Sequence, residues 1–483
     1  MKARKIISIL LVITMGLSMV ACGSSKETND QKVSKDEEKS KEPVNLIWIM
    51  GGEQPKEYVE TMKVLNEKSA EDIGVTVDIK YYDGEKALLA MATGEYFDIT
   101  FTCEWFNNYA LGSQKGFFAD ITEKVKESAP DLYKYIPEIV WNGSMVDNKL
   151  FAVPVFKDSA ATNYWMFDEK YIVDELGMDL SEVGFKFDTI TPILKAAKAK
   201  KPDEFPLMIA KGGLGGWDDG YEYLERGSYI GVAYEGNSTK VVSILEEPSI
   251  INNFEKMHEW YEAGYVWPDA PYSDDAGGYS PIGVGQGFVG ADAIWSSSNG
   301  YKVATVKKFG PVYSTASIRG AMNGIGAISK NVDAALKYLQ YANLDVDYRN
   351  MLAYGIEGKH YKKTEEGTVE KLNDGWQPWT FSQATFFTMY PIAPAPANMW
   401  ELVQEDIQDA PGSSLIGFTP NVAEIETQIA AVSTIITKYQ AGLNTGYSDP
   451  NVEIPKMMEE LEAVGYRDII NSIQEQVDEF LKK

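Results

Sequence analysis

Apolar and polar positions divide the chain into segments of different kind. Ile6 to Val20 is an almost unbroken apolar run, preceded by Lys2, Arg4 and Lys5. From Gly23 to Pro43 the pattern inverts, and Val33 is the only sizeable apolar residue. Beyond Val44, short apolar runs alternate with helical stripes. Asn45 to Met50 predicts a strand, and Gly51-Gly52 turns it into a helix with Pro55 near the start, where a missing N–H costs little. Tyr58, Met62 and Leu65 stripe that helix. Val75 to Tyr82 alternates as a strand, Glu85 to Met91 is helical, and Ile99 to Thr102 is a third strand ahead of the Trp105 to Leu111 segment. Strand–helix–strand order predicts an α/β fold with a parallel sheet. Ligands of such sheets sit beyond the carboxyl ends of the strands. That rule points at Gly51, Gly52, Glu53, Cys103, Glu104 and Trp105.

Leu150 to Phe156 predicts another strand, broken by Lys157-Asp158-Ser159. Thr162 to Phe167 opens a second pattern, expected to continue as a helix through Leu176, with another helix over Thr189 to Lys200. Asn253, Met257, Trp260 and Tyr261 mark an amphipathic helix ending near Gly264. A crossing between two domains is expected near Lys157, and a return crossing near Val312 to Arg319. Residues 332–343 and 346–354 are helical again. Ile454, Met457, Met458, Leu461 and Val464 form one late stripe, and Ile470, Ile473, Val477 and Phe480 the next. No repeat of solenoid length is visible.

The first apolar run is too short to span a bilayer, which takes about 20 residues. Residues 1–21 therefore predict a signal peptide. Its end, Met19-Val20-Ala21-Cys22-Gly23, resembles a bacterial lipobox. That resemblance implies diacylglycerol on Cys22, which cleavage would make the new N-terminus. An ordinary signal peptide with an incidental cysteine is the alternative. Residues 22–43 bury too little surface to offset ordering entropy and predict a flexible tether. The body beyond Val44 suits two domains. Cys103 is the only other cysteine, so no internal disulfide can form. A net charge of −26 disfavours nucleic acid and anionic lipid while leaving neutral ligands open.

Four segments resemble the family 1 extracellular solute-binding proteins of ABC importers. Gly94-Glu95-Tyr96-Phe97-Asp98-Ile99 is similar to a "small-Gly-x-x-Pro-Asp-Ile" stretch, with Phe97 in the proline slot. Gly116 to Thr122 is similar to "Gly-x-Leu-x-Asp-Leu-Thr", Asp147 to Pro154 to "Asp-Gly-Lys-x-Tyr-Gly-x-Pro", and Tyr164 to Asp168 to "x-Tyr-Asn-x-Asp". The C-terminal half resembles LplA-type sugar-binding lipoproteins. Tyr354-Gly355-Ile356-Glu357-Gly358-Lys359-His360-Tyr361 carries that likeness, with Leu461 to Tyr466 and Ile473 to Asp478. The resemblance implies a two-lobe periplasmic-binding-protein-like fold with hinge-linked parallel or mixed sheets. Residues 44–156 and 312–410 would form lobe 1, residues 157–311 lobe 2, and 411–483 a helical region packing on the lobes. It implies a monomer on the outer face of the cytoplasmic membrane, held only by the Cys22 lipid. There it would close on a carbohydrate, an oligosaccharide, and pass it to the permease subunits of an ABC importer without cofactor or turnover. A cell-surface carbohydrate-active enzyme such as a glycoside hydrolase and an adhesive surface lipoprotein are the alternatives.

Catalytic signals are weak. His258-Glu259-Trp260-Tyr261-Glu262 approaches a zinc-binding H-E-x-x-H, but Glu262 replaces the second histidine and the chain holds only two. Gly285-Gln286-Gly287-Phe288-Val289-Gly290 fits G-x-G-x-x-G, yet the following Asp292 to Trp295 predicts a strand where a dinucleotide site needs a helix. Gly355 to Lys359 lacks P-loop spacing. Glu53 and Glu104, both at predicted strand ends, could accept from sugar hydroxyls, stay solvated, or form the carboxylate pair of a glycosidase.

Aromatics are plentiful, with 11 Trp, 28 Tyr and 19 Phe. A flat indole covers the C–H face of a pyranose while amides and carboxylates take its rim. Trp105, at a strand end, Trp217, in the loop Gly213 to Gly220, and Trp295, at a predicted strand end with Asn299, are candidate stacking residues. Local core packing is the alternative for each, and the favoured one for Trp165, Trp376 and Trp379. Arg319 and Asn323 near the return crossing, and His360 in the subfamily motif, are candidate polar contacts.

Overall fold

The computed structural model describes residues 42–482. The expected signal peptide, Cys22 and the tether up to Lys41 lie outside the described residues. Strand β1 (Val44–Gly51) pairs in parallel with β2 (Val75–Tyr82) on one side and with β3 (Ile99–Thr102) on the other. Leu46, Trp48, Ile49 and Met50 of β1 are all buried, as in a sheet covered on both faces. The helix Tyr58–Ile73 sends Met62 and Leu65 into the core and ends at Gly74. β4 is shorter than expected, Ala152–Pro154. A tight turn joins Val146 to Lys149 just before it, and Thr385 Oγ1 takes the Phe156 carbonyl just after it (2.6 Å).

β5 (Ala161–Asp168) covers Tyr164 to Asp168, the stretch that resembled a family strand, and the helix expected through Leu176 is cut short. Its aromatic and β-branched residues favour a strand, and only one wide helical turn, Lys170–Glu175, follows. β6 (Tyr221–Glu225), β7 (Ile230–Ala233) and β8 (Val242–Ser243) form a small antiparallel sheet. β9 (Ile282–Gly287) and β10 (Val303–Val312) flank β5 antiparallel, in the order β10-β5-β9. β11 (Met322–Ile325) returns to the first sheet, antiparallel between β3 and β4, making the order β2-β1-β3-β11-β4. The first sheet is therefore mixed. β12 (Tyr361–Lys363) and β13 (Val369–Lys371) form a hairpin beyond it.

Two large cores result. The first joins Trp48, Phe101 and Ala152 to Met322, Leu336 and Leu352. The second joins Trp165, Phe187, Phe254 and Trp260 to Leu415, Val432, Leu461 and Val477. The helices Glu426–Thr445, Pro450–Ala463 and Tyr466–Phe480 thus complete the second lobe, while Ile416, just before them, packs on the first core.

The chain crosses between cores three times: before Ala161, after Val312, and near Pro411. Tyr313 N–H donates to the Pro411 carbonyl and Ser413 N–H to the Tyr313 carbonyl (both 2.8 Å), strapping the second and third crossings together. Gly310, at φ +86, faces the first crossing, and a Cβ there would overlap the Ala161 carbonyl oxygen. Three thin connections between two cores are the geometry of a hinge.

Candidate ligand-binding cleft

The carboxyl ends of β1 and β3 meet in an aromatic corner. Trp379 lies flat across Gly51 and Gly52. A Cβ on Gly51 would overlap its ring, and one on Gly52 would come within 2.9 Å of Nε1. Trp105, just beyond β3, is 60% exposed. Its ring lies 5.9 Å from Trp379 and 6.4 Å from Phe381, and Trp379 and Phe381 stack at 5.5 Å. Glu53 projects into solvent beside Gly52 and Glu104 beside Trp105.

The second lobe faces this corner with the helix Ala291–Asn299. Ile294 on it is 43% exposed. Together with Phe288 it forms one side of a ≈ 480 Å³ cavity whose other side carries Trp376, Thr380, Phe381 and Trp400. A second interlobe cavity, ≈ 350 Å³, lies toward the hinge and is charged. Glu104 and Tyr109 line it from the first lobe and Glu222 and Arg226 from the second, with Arg319 and Thr419 beside them. Glu104 and Arg226 approach to 3.8 Å and so bridge the lobes. Glu222 is 2% exposed, accepts from Thr315 N–H at 3.0 Å and from the Ser413 hydroxyl, and is held above the usual carboxyl range by burial.

Of the residues named from sequence, Glu104 and Arg319 line the charged cavity, and Trp105 is exposed next to Glu104. Arg319 is mostly committed to the protein, donating to Gly143 O (2.8 Å), Thr419 Oγ1 (2.7 Å) and Met145 O. Burial pushes its pKa down to about 10. Asn299 is exposed at the end of its helix.

Three candidates leave the cleft. Trp217, 8% exposed, packs 4.6 Å from Phe254 and 5.5 Å from Tyr229 in the second core. Its loop is pinned by a buried pair: Lys308 Nζ reaches Asp219 Oδ2 at 2.7 Å and Gly216 O at 2.6 Å. Asn323 donates to Ser382 O (3.3 Å) and Gln383 O (3.0 Å) and accepts from Trp48 Nε1 (3.2 Å). His360 is buried, accepts from Ile356 N–H at 2.9 Å and faces Glu57 Oε2 at 3.4 Å. Neither has a polar atom to spare for a ligand.

Trp295 sits on a helix, where a strand end was expected. Gly290 in the left-handed region starts that helix and Gly300 ends it. The G-x-G-x-x-G run therefore does join a strand to a helix, and its glycines serve packing. A Cβ on Gly287 would fall 2.6 Å from Trp295 Cζ2, and those on Gly283 and Gly285 would crowd Met166. Trp295 rests half-buried on this bare backbone, edge-on to Tyr164 at 6.0 Å. His258 bonds the Gly446 carbonyl at 2.8 Å. Among the described residues no group of three or more His, Cys, Asp or Glu is placed to hold a metal. None of the described helices is long and apolar enough to cross a membrane. Trp379, for which sequence reasoning favoured core packing, instead stacks with Phe381 beside exposed Trp105; the Gly51-Gly52 pair was the signal for a flat partner.

Two cores on a three-segment hinge, with a cleft of aromatic and polar side chains between them, define the fold of the two-lobe solute-binding proteins. The chain is 28% identical over 491 residues to a carbohydrate ABC transporter substrate-binding protein of Streptococcus pneumoniae, covering 98% of this chain and 97% of that one. It is similar in structure to the N-glycan transport solute binding protein NgtS of Streptococcus pneumoniae, at TM-score 0.84 and 27% identity over 91% of this chain and 99% of that one. Against NgtS in complex with Man5GlcNAc and with Man1GlcNAc the TM-scores are 0.73 and 0.76. A solute-binding protein from Bifidobacterium longum infantis shares the fold at 14% identity over 91% of this chain and 100% of that one, with TM-score 0.64. Residues 414–482 match a domain family described as a domain of unknown function, DUF3502.

Proposed function

We propose that the protein is the extracytoplasmic substrate-binding component of an ABC importer and captures an oligosaccharide of the mannose–N-acetylglucosamine type between its lobes. One observation carries the reading. Trp105, 60% exposed, joins Trp379 and Phe381 at the carboxyl ends of parallel strands, and Phe381 lines a cavity whose far side is Phe288 and Ile294 of the other lobe. Exposed indoles cost solvation unless something covers them, and a pyranose face is a matching cover. NgtS, similar along nearly the whole chain, is named for N-glycan transport and was crystallised with two such glycans. Its complexes differ from this structure more than NgtS alone does, which is compatible with lobe rotation about the hinge on binding. The protein binds without turnover, and the Cys22 lipid tethers it to the membrane that holds the permease.

Titration calorimetry and thermal shift with Man5GlcNAc, Man1GlcNAc, fructo-oligosaccharides and alginate oligosaccharides test the reading. A micromolar ligand at 100 times its Kd adds about 2.7 kcal/mol of apparent stability, and should be recovered intact after long incubation. Absence of binding across the panel would reject a carbohydrate ligand, and steady cleavage would move the protein to the glycosidases. Cys22→Ala should release the protein into the soluble fraction; retention in membranes would exclude the lipid anchor.

A further inference from the structure

The residue most in need of explanation is Arg349, on the helix Val346–Tyr354. It is 0% exposed, and no carboxylate among the described residues pairs with it. A buried guanidinium without a counter-ion is strongly unfavourable unless its donors are matched. Here they are matched by one short segment. Nε donates to Thr385 O at 2.7 Å, one terminal nitrogen to Gln383 Oε1 at 3.0 Å, and the other to Thr380 O at 3.0 Å and Ala384 O at 3.1 Å. That segment has no regular structure beyond the single turn Thr380–Ser382. The buried Ala384 and Thr385 carbonyls would lose these partners without Arg349. Trp379 and Phe381, two rings of the aromatic corner, sit at its start.

We propose that Arg349 is a positioning residue for the aromatic platform: it fixes residues 379–385 so that Trp379 and Phe381 already face the cleft before a ligand arrives. The proposal rests on the reading that this cleft binds carbohydrate. Asn323 reinforces the same segment through Ser382 O and Gln383 O, and Asn343 Oδ1 accepts from Thr385 N–H at 2.8 Å. A core position filled only for stability would hold an apolar side chain. An arginine there gains its value from geometry, because a planar fork meets several fixed acceptors at once. A lysine ammonium reaches fewer of them in any one rotamer. Fixing the platform beforehand removes an ordering cost from binding.

The test compares wild type with Arg349→Lys, reading both hydrogen exchange and titration with Man5GlcNAc. Exchange of amides 379–385 should accelerate about tenfold or more while the helix Glu426–Thr445 keeps its wild-type rates, and Kd should rise roughly tenfold as preorganisation is lost. Unchanged exchange in 379–385, or equal acceleration throughout the first lobe, would overturn the positioning role. If Arg349→Lys does not fold, Gln383→Met, which removes one of the four acceptors, must show the same local acceleration at smaller amplitude; its absence overturns the proposal. Wild-type protein that binds no glycan would refute the carbohydrate reading, while the exchange readout would still decide whether Arg349 holds the platform.

Discussion

The two lobes treat their candidate tryptophans in opposite ways. In the first lobe, Trp105 and Trp379 stand at the carboxyl ends of parallel strands and remain at least partly open. In the second, Trp217 and Trp295 occur in glycine-rich sequence, and one is buried against Phe254 while the other rests on the bare backbone of β9. The glycines play different parts. Gly51 and Gly52 give a ring a flat seat facing the cleft, whereas Gly285 and Gly287 let a helix settle onto its own lobe. A tryptophan among glycines is thus ambiguous by itself. What separates the cases is the end of the sheet from which the loop departs, a property of topology.

That contrast breaks most visibly at Trp217. Trp217→Ala should lower unfolding free energy by about 3–5 kcal/mol in a urea titration, with glycan affinity of the folded fraction unchanged. A variant that stays stable and loses binding would return Trp217 to the cleft. Trp105→Ala should do the reverse. Binding weakens by about 2 kcal/mol, near thirtyfold in Kd by calorimetry, with little change in melting temperature. A large melting shift would assign Trp105 to the core.

Gly51→Ala sharpens the comparison, because its methyl overlaps the seat of Trp379. It should weaken glycan binding roughly tenfold by tilting that ring; wild-type affinity would show that Trp379 is no platform. The smallest effect is expected at Glu222. Folding raises its pKa above the ordinary 4.5, so the folded protein takes up this proton more readily than the unfolded chain. Ionised Glu222 therefore opposes folding increasingly as pH rises from 4.5 through its higher folded value. Glu222→Gln should raise the melting temperature at pH 7 relative to wild type and raise it less at pH 4. A shift of equal size at both would show that its charge is immaterial.

Sequence made the first lobe readable where burial follows a simple period. β1, β2 and β3 and the helices between them lie within a few residues of where alternation and stripes put them. The strand-end rule then reached Glu104 and Trp105 without any structure. It could not reach Trp379, whose seat lies more than 300 residues earlier in the chain and whose following segment is held at Gln383 and Thr385 by side chains from three other elements. Asn323 and His360 were chosen by nearness to a crossing and to a motif, and neither criterion distinguishes a ligand contact from a buried anchor. The helix at Ala291–Asn299 was missed because its apolar residues, Ala291, Ile294 and Trp295, are too few to outweigh a run of serines. The third crossing left no trace in periodicity, because it is made of paired backbone around Tyr313.

That third crossing bears on how the chain is made. The second core begins near Trp165 and is closed by Leu461, Ile473 and Val477, and Tyr466 Oη donates to the Ser228 carbonyl across 238 positions. The stretch matching DUF3502 is consequently a unit of sequence that supplies one wall of a shared interior. A ribosome delivers the first lobe's sheet early and the final wall of the second lobe last. Until residue 477 emerges the second core lacks its C-terminal wall, and contacts of such separation form slowly.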